Sequence, residues 1–147
     1  MGKFTLSVFI NRPQQDVFDF LTNPANLSKW NPVMESAEWA SSGVPGIGST
    51  YKVLAKMPGG KKEGQFEITN WDPPNRYGYK TSARVGPVES IEAVITLASK
   101  ENSTQLTIES QSKLAGVPKF ADGFVARMSK KENETNFGNA KRLLEAG

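Results

Sequence analysis

Apolar and polar residues alternate from Lys3 to Ile10, with Phe4, Leu6, Val8 and Ile10 on one face and Thr5, Ser7 and Phe9 on the other. This period of two predicts a β-strand. The pattern changes at Asn11-Arg12-Pro13-Gln14, which reads as a helix start. Asn11 has the chemistry of an N-cap, Gln14 completes a capping-box spacing and Pro13 suits a first turn. Asp16 and Asp19 put negative charge in the early turns, where the helix dipole favours it. Val17, Phe18, Phe20 and Leu21 supply the apolar stripe. Asn23-Pro24 ends this helix, and Pro24 opens a second short one over Ala25 to Lys29.

Short extended segments follow: Val33–Ala40, Ser49–Lys56, Lys61–Trp71, Arg76–Ala83, Val88–Ser99 and Thr104–Leu114. Gly-, Pro- and Asn-rich turns separate them, which predicts a meandering antiparallel sheet. After Gly116-Val117-Pro118 a long helix is expected from Pro118 to Ala146. Its first stripe is Val117, Phe120, Ala121, Phe124, Val125 and Met128. The stripe weakens from Ser129 to Asn136 and resumes at Phe137, Ala140, Leu143 and Leu144. The order is strand, two helices, about six strands and one long helix, an α+β layout. One helix cannot cover a seven-stranded sheet, so a gap is expected between them. Ser110 and Ser112 share the face of Leu106 and Ile108, and Ala93 lies between Ile91 and Ile95. Small and polar groups at such positions suit a cavity better than a closely packed core.

The 147 residues fit one domain, expected to span 1–147. The chain has no Cys and no His. This excludes disulfides, thiolate nucleophiles, imidazole bases and Cys/His zinc sites, so no metal or cofactor is expected. Net charge is only +3. Basic residues of the last helix are interleaved with acids and amides, which argues against a nucleic-acid reader. No segment approaches the ~20 apolar residues of a membrane span. Met1–Ile10 lacks the apolar run of a secretory signal, so the expected location is cytoplasmic.

The run Ile10-Asn11-Arg12-Pro13 through Val17-Phe18, then Asn23-Pro24 to Trp30-Asn31-Pro32, resembles the opening of a Bet v 1-like protein. The segment Gly64 to Pro74 followed by Arg76-Tyr77 resembles the central hairpin of the START-domain and polyketide-cyclase-like (SRPBCC) proteins. The resemblance extends over essentially the whole chain. It implies a helix-grip fold, a curved seven-stranded antiparallel sheet around the long C-terminal helix, with a deep apolar cavity. It also implies a small hydrophobic ligand such as a lipid or polyketide, and in some members cyclase or aromatase activity or a protein partner.

On that frame the expected ligand-binding residues from the first half of the chain are Trp30, Tyr51, Val53, Phe66, Ile68, Tyr77 and Tyr79. Those from the later strands are Ile91, Ala93, Ile95, Leu106, Ile108, Ser110 and Ser112. The last helix adds Phe120, Phe124 and Met128. Aromatic and flexible apolar walls with a few hydroxyls are the usual make-up of a small-molecule pocket. The leading reading is a non-catalytic binder. A cyclase-like enzyme would draw on Tyr51, Tyr79 or Glu89, with Glu89 placed by strand parity near the cavity mouth and Arg84 opposite it. A protein partner would use the basic helix around Lys130 and Lys131, and no membrane insertion is expected.

Overall fold

The structure, a computed structural model, describes residues 2–147. Strand β1 (Gly2–Ile10) leads into α1 (Gln14–Thr22), a 3-10 turn (Pro24–Asn26) and the short α2 (Leu27–Trp30). Six strands follow: β2 (Met34–Trp39), β3 (Thr50–Met57), β4 (Gly60–Asp72), β5 (Arg76–Ala83), β6 (Val88–Lys100) and β7 (Ser103–Leu114). A second 3-10 turn (Lys119–Ala121) precedes α3 (Asp122–Ala146). All seven strands form one antiparallel sheet in the order β1-β7-β6-β5-β4-β3-β2. The α+β helix-grip arrangement expected from the sequence is the one observed, down to two short helices after the first strand.

The main core lies where α1, α2 and the second half of α3 meet the β1–β7–β6–β5 part of the sheet. Ile10, Val17, Phe18, Ile95, Leu106, Ile108, Phe137 and Ala140 are buried together there. Trp30 packs on Phe137 with ring centroids 5.2 Å apart, which ties α2 to α3. A smaller cluster, Val53, Ala55, Phe66 and Val85, sits toward the other side of the sheet, and Leu27 and Tyr79 touch both.

The entry to α1 departs from the capping-box expectation. Pro13 itself takes the cap position and no side chain caps the helix. Gln14 instead donates through Nε2 to the Leu97 carbonyl at 2.7 Å and to Asn75 Oδ1 at 3.0 Å. Asn11 accepts from Ser103 Oγ at 2.7 Å. Both are spent on fastening the strand–helix corner to β6 and β7. Arg12 completes that corner: its carbonyl accepts from the buried Thr104 hydroxyl at 2.8 Å, and its Nε donates to the Leu144 carbonyl at 2.6 Å.

The start of α3 also differs. Phe120 and Phe124 do not face the sheet; they are 91% and 58% exposed. The 3-10 turn advances three residues per turn, so the phase of Val117 and Phe120 is not carried into the helix. The phase is set from the other end, where Phe137, Ala140 and Leu144 are buried. Stepping back from them by three and four residues gives Asn136, Asn133, Glu132, Ser129 and Val125 as the inward positions.

Candidate functional site

Between the sheet and the first half of α3 lies a cavity of about 460 Å³. Its sheet wall is a row of aromatic rings. Trp39 meets Tyr51 edge-on at 5.9 Å, Tyr51 stacks on Phe66 at 5.3 Å, and Phe66 meets Tyr79 edge-on at 5.6 Å. Tyr79 stacks on Tyr77 at 6.5 Å, and Tyr77 meets Phe18 edge-on at 5.7 Å. The antiparallel register makes this row: Trp39 pairs with Tyr51, Tyr51 with Phe66, and Tyr79 with Ile68 next to it. Alternation then turns all these side chains to one face. Such contacts hold the rings rigid, since offset and edge-on aromatic pairs are mutually attractive.

The three tyrosine hydroxyls have no hydrogen-bond partner among the described residues. Burial pushes all three up; Tyr51 and Tyr77 lie well above the usual tyrosine value, with neighbouring tyrosines adding to burial. Burial alone raises Tyr79 to about 12. The hydroxyls therefore stay protonated and keep both donor and acceptor capacity for a guest.

The α3 side of the cavity is polar. Ser129, Glu132, Asn133 and Asn136 line it beside Val125 and Met128. Ser129 and Ser112 are within 3.3 Å of each other through their hydroxyls, and Asn133 donates to the Ser129 carbonyl at 2.8 Å. Asn136 is buried and its side chain makes no hydrogen bond among the described residues. Desolvation raises the Glu132 carboxyl above its usual range. Trp30, another lining residue, carries a buried indole N–H without a partner. Buried polar groups normally find partners within the fold. Here the Trp30 indole N–H and the Asn136 side chain do not, and both border an open volume.

The exposed members of the lining mark the mouth. They are Lys56, Pro58, Pro87, Met128 and Glu132. These residues belong to the β3–β4 and β5–β6 hairpin ends and to the first half of α3. The two hairpin ends are neighbours, as a side chain added at Gly86 would contact Lys62.

Ten of the sequence-predicted residues line this cavity: Trp30, Tyr51, Phe66, Ile68, Tyr77, Tyr79, Ile91, Ser110, Ser112 and Met128. Val53, Ala93, Ile95, Leu106 and Ile108 do not; they are buried in the two solid clusters. The second half of α3 and α1 fill the space above most of them. Phe120 and Phe124 point to solvent, as described above. Glu89 is not at the mouth either: it is exposed and pairs with Lys113 at 3.6 Å. A bulge between Val88 and Ser90 breaks the strict alternation on which its placement relied, so Val88 and Ile91 both line the cavity. Arg84 donates to the Gly86 carbonyl at 3.0 Å rather than pairing with Glu89. The polar α3 residues were missed. Their signal is that Ser129, Glu132, Asn133 and Asn136 occupy the three- and four-residue steps leading back from Phe137 and Ala140. Among the described residues no group of His, Cys, Asp and Glu is arranged to hold a metal ion.

Residues 1–145 match the family model described as polyketide cyclase / dehydrase and lipid transport. The chain belongs to this family. Among solved structures it is similar to a START superfamily protein from Mycobacterium smegmatis, at 10% identity and a TM-score of 0.83, with 99% of each chain covered. It is also similar to Ara h 8.0201, at 16% identity and a TM-score of 0.75, covering 99% of this chain and 98% of that one. A third likeness is to the di-domain ARO/CYC BexL from the BE-7585A biosynthetic pathway, at 13% identity and a TM-score of 0.79. The match covers 99% of this chain and 47% of BexL. At such identities these likenesses establish the fold. No curated protein matches the chain by sequence.

Proposed function

We propose that this member of the family binds a small amphipathic molecule, an apolar body with a few hydrogen-bonding groups, in the cavity under α3. One observation carries the reading: a rigid aromatic wall, whose tyrosine hydroxyls have no partner among the described residues, faces a polar wall on which the buried Asn136 side chain has none either. Apolar area on Phe66, Ile68, Tyr79 and Ile91 favours the body of the guest through the hydrophobic effect. Asn136 and the tyrosine hydroxyls select a guest that offers complementary groups, because an unmatched buried polar group costs about 1–3 kcal/mol. Met128 at the mouth adapts to the shape of the guest.

Native mass spectrometry of the purified protein, with solvent extraction of the same sample, tests this reading. The expected result is an added mass released by solvent, or uptake of one anilinonaphthalene sulfonate per chain when none is carried. A bare mass with no uptake of that probe would contradict it.

A second reading, a cyclase-like enzyme, is favoured by Glu132. A carboxyl raised by desolvation at a cavity edge is suited to proton transfer. On that reading Glu132→Gln retains ligand uptake but loses turnover of a poly-β-ketone substrate. Equal turnover in the variant and the parent protein would remove Glu132 from that role.

A further inference from the structure

The outer face of α3 carries a feature the cavity does not use. Phe124 and Met128 lie one turn apart and are 58% and 48% exposed; Phe120, four residues earlier, is 91% exposed. Isolated apolar side chains on a surface are ordinary, but Phe124 and Met128 share the outer face of α3, and Phe120, on the 3-10 turn that leads into the helix, adds a third exposed apolar side chain at its start. Arg127 and Lys131 fall between and beyond them. At 3.6 residues per turn, Phe124, Arg127, Met128 and Lys131 share an arc of about 100°. Lys119 and Lys130 flank that arc, and all four basic residues are exposed and make no ion pair among the described residues. The acid nearest the helix start, Asp122, lies on the sheet-facing side by the same geometry. The next acid on the outer side, Glu134, comes a turn beyond Lys131.

In this half of α3 the usual polarity of a surface helix is blurred: Ser129, Glu132, Asn133 and Asn136 face inward beside Val125, while Phe124 and Met128 face outward among Arg127 and Lys131. An apolar stripe bordered by unpaired cations has the chemistry of a helix that lies in the headgroup region of an anionic membrane. Met128 belongs both to this stripe and to the cavity lining, so the patch adjoins the mouth. No helix of the described residues is long and apolar enough to cross a membrane, and the arrangement calls for none.

We propose that the Phe120–Phe124–Met128 face, with Lys119, Arg127, Lys130 and Lys131, docks peripherally on an anionic lipid surface, mouth toward the bilayer. Docking needs no guest in the cavity, so the inference stands or falls separately from the ligand-binding reading.

Flotation of the protein with vesicles tests it, comparing phosphatidylcholine alone with phosphatidylcholine containing phosphatidylglycerol. The expected result is binding to the anionic vesicles, little to the neutral ones, and release by high salt. Phe120→Ser/Phe124→Ser should weaken binding by more than about tenfold, given the apolar area each Phe contributes. Both positions are exposed, so the variant should keep the parent's thermal unfolding. Arg127→Gln/Lys131→Gln should weaken it roughly 30-fold, at about one kcal/mol per cation. Four results would each overturn the proposal. These are no binding to either vesicle, equal binding to both, undiminished binding by the phenylalanine variant, and a dimer in sedimentation that this variant abolishes without any vesicle binding.

Discussion

In its second half α3 turns Phe137, Ala140 and Leu144 into the core, while in its first half it turns Ser129, Glu132, Asn133 and Asn136 toward an empty volume. The same helix continues in phase through both. What changes is the covering: Trp30, α1 and the end of β1 close over the second half, whereas over the first half β1 touches only at Gly2, beside Val125 and Ala126, and an open volume borders the described residues there. The second half is an anchor that fixes the helix, and the first half is a wall held in place by that anchor. A side chain's value to stability should therefore fall from one half to the other, and its value to ligand binding should rise.

The largest effect is expected at the anchor. Phe137→Ala should cost about 3–5 kcal/mol in urea unfolding, because Phe137 is fully buried and its loss leaves a cavity in the packed half. A loss below about 1 kcal/mol would show that the halves do not differ. At the wall, Asn136→Leu should act the other way. Removing a buried, unpartnered amide should raise stability by about 1 kcal/mol. The same change should weaken anilinonaphthalene sulfonate binding about threefold to tenfold in a fluorescence titration, the worth of one hydrogen bond. Stabilisation without loss of binding would mean Asn136 does not face the guest.

A smaller effect separates the halves by pH. Burial raises Glu132 above its usual value of 4.5, so the folded protein holds that proton more tightly than the unfolded chain. Its contribution is then full below pH 4.5 and is lost as pH rises past it. Glu145 is lowered, by hydrogen bonds from Lys141 at 2.6 Å and from the Asn11 N–H at 2.8 Å. Its contribution is present above pH 4.5 and is lost as pH falls below it. Urea midpoints against pH should therefore lose their decline above 4.5 in Glu132→Gln and their decline below 4.5 in Glu145→Gln. The opposite assignment would reverse the account. The smallest effect is at the outer face, where Phe124→Ala should change stability by no more than about 0.5 kcal/mol. A larger loss would place Phe124 in a contact the structure lacks.

Much of this was legible beforehand. Strand β5 runs over the very residues Arg76–Ala83 that alternation marks out, because a regular strand between strong turns follows its pattern faithfully. The aromatic wall followed from the same alternation at Tyr51, Phe66, Tyr77 and Tyr79. Where the backbone breaks its period, the reading failed. The bulge at Val88/Ser90 moved Glu89 outside, and the 3-10 turn at Lys119–Ala121 uncoupled Phe120 from the helix that follows. Glu132 and Asn136 were hidden for a different reason. A polar residue on an apolar stripe looks like the end of the stripe, whereas here it marks the point at which the core gives way to a cavity.

The central claim is that the space under the first half of α3 takes a guest while the space under the second half does not. Methyl NMR of five of the six isoleucines, Ile10, Ile68, Ile91, Ile95 and Ile108, titrated with anilinonaphthalene sulfonate, tests it most directly; the sixth, Ile47, is exposed on a loop. Ile68 and Ile91 line the cavity, whereas Ile10, Ile95 and Ile108 are sealed in the main core. The account predicts saturable shifts at Ile68 and Ile91 with the other three nearly still. Shifts of equal size at all five, or none at Ile68 and Ile91, would contradict it.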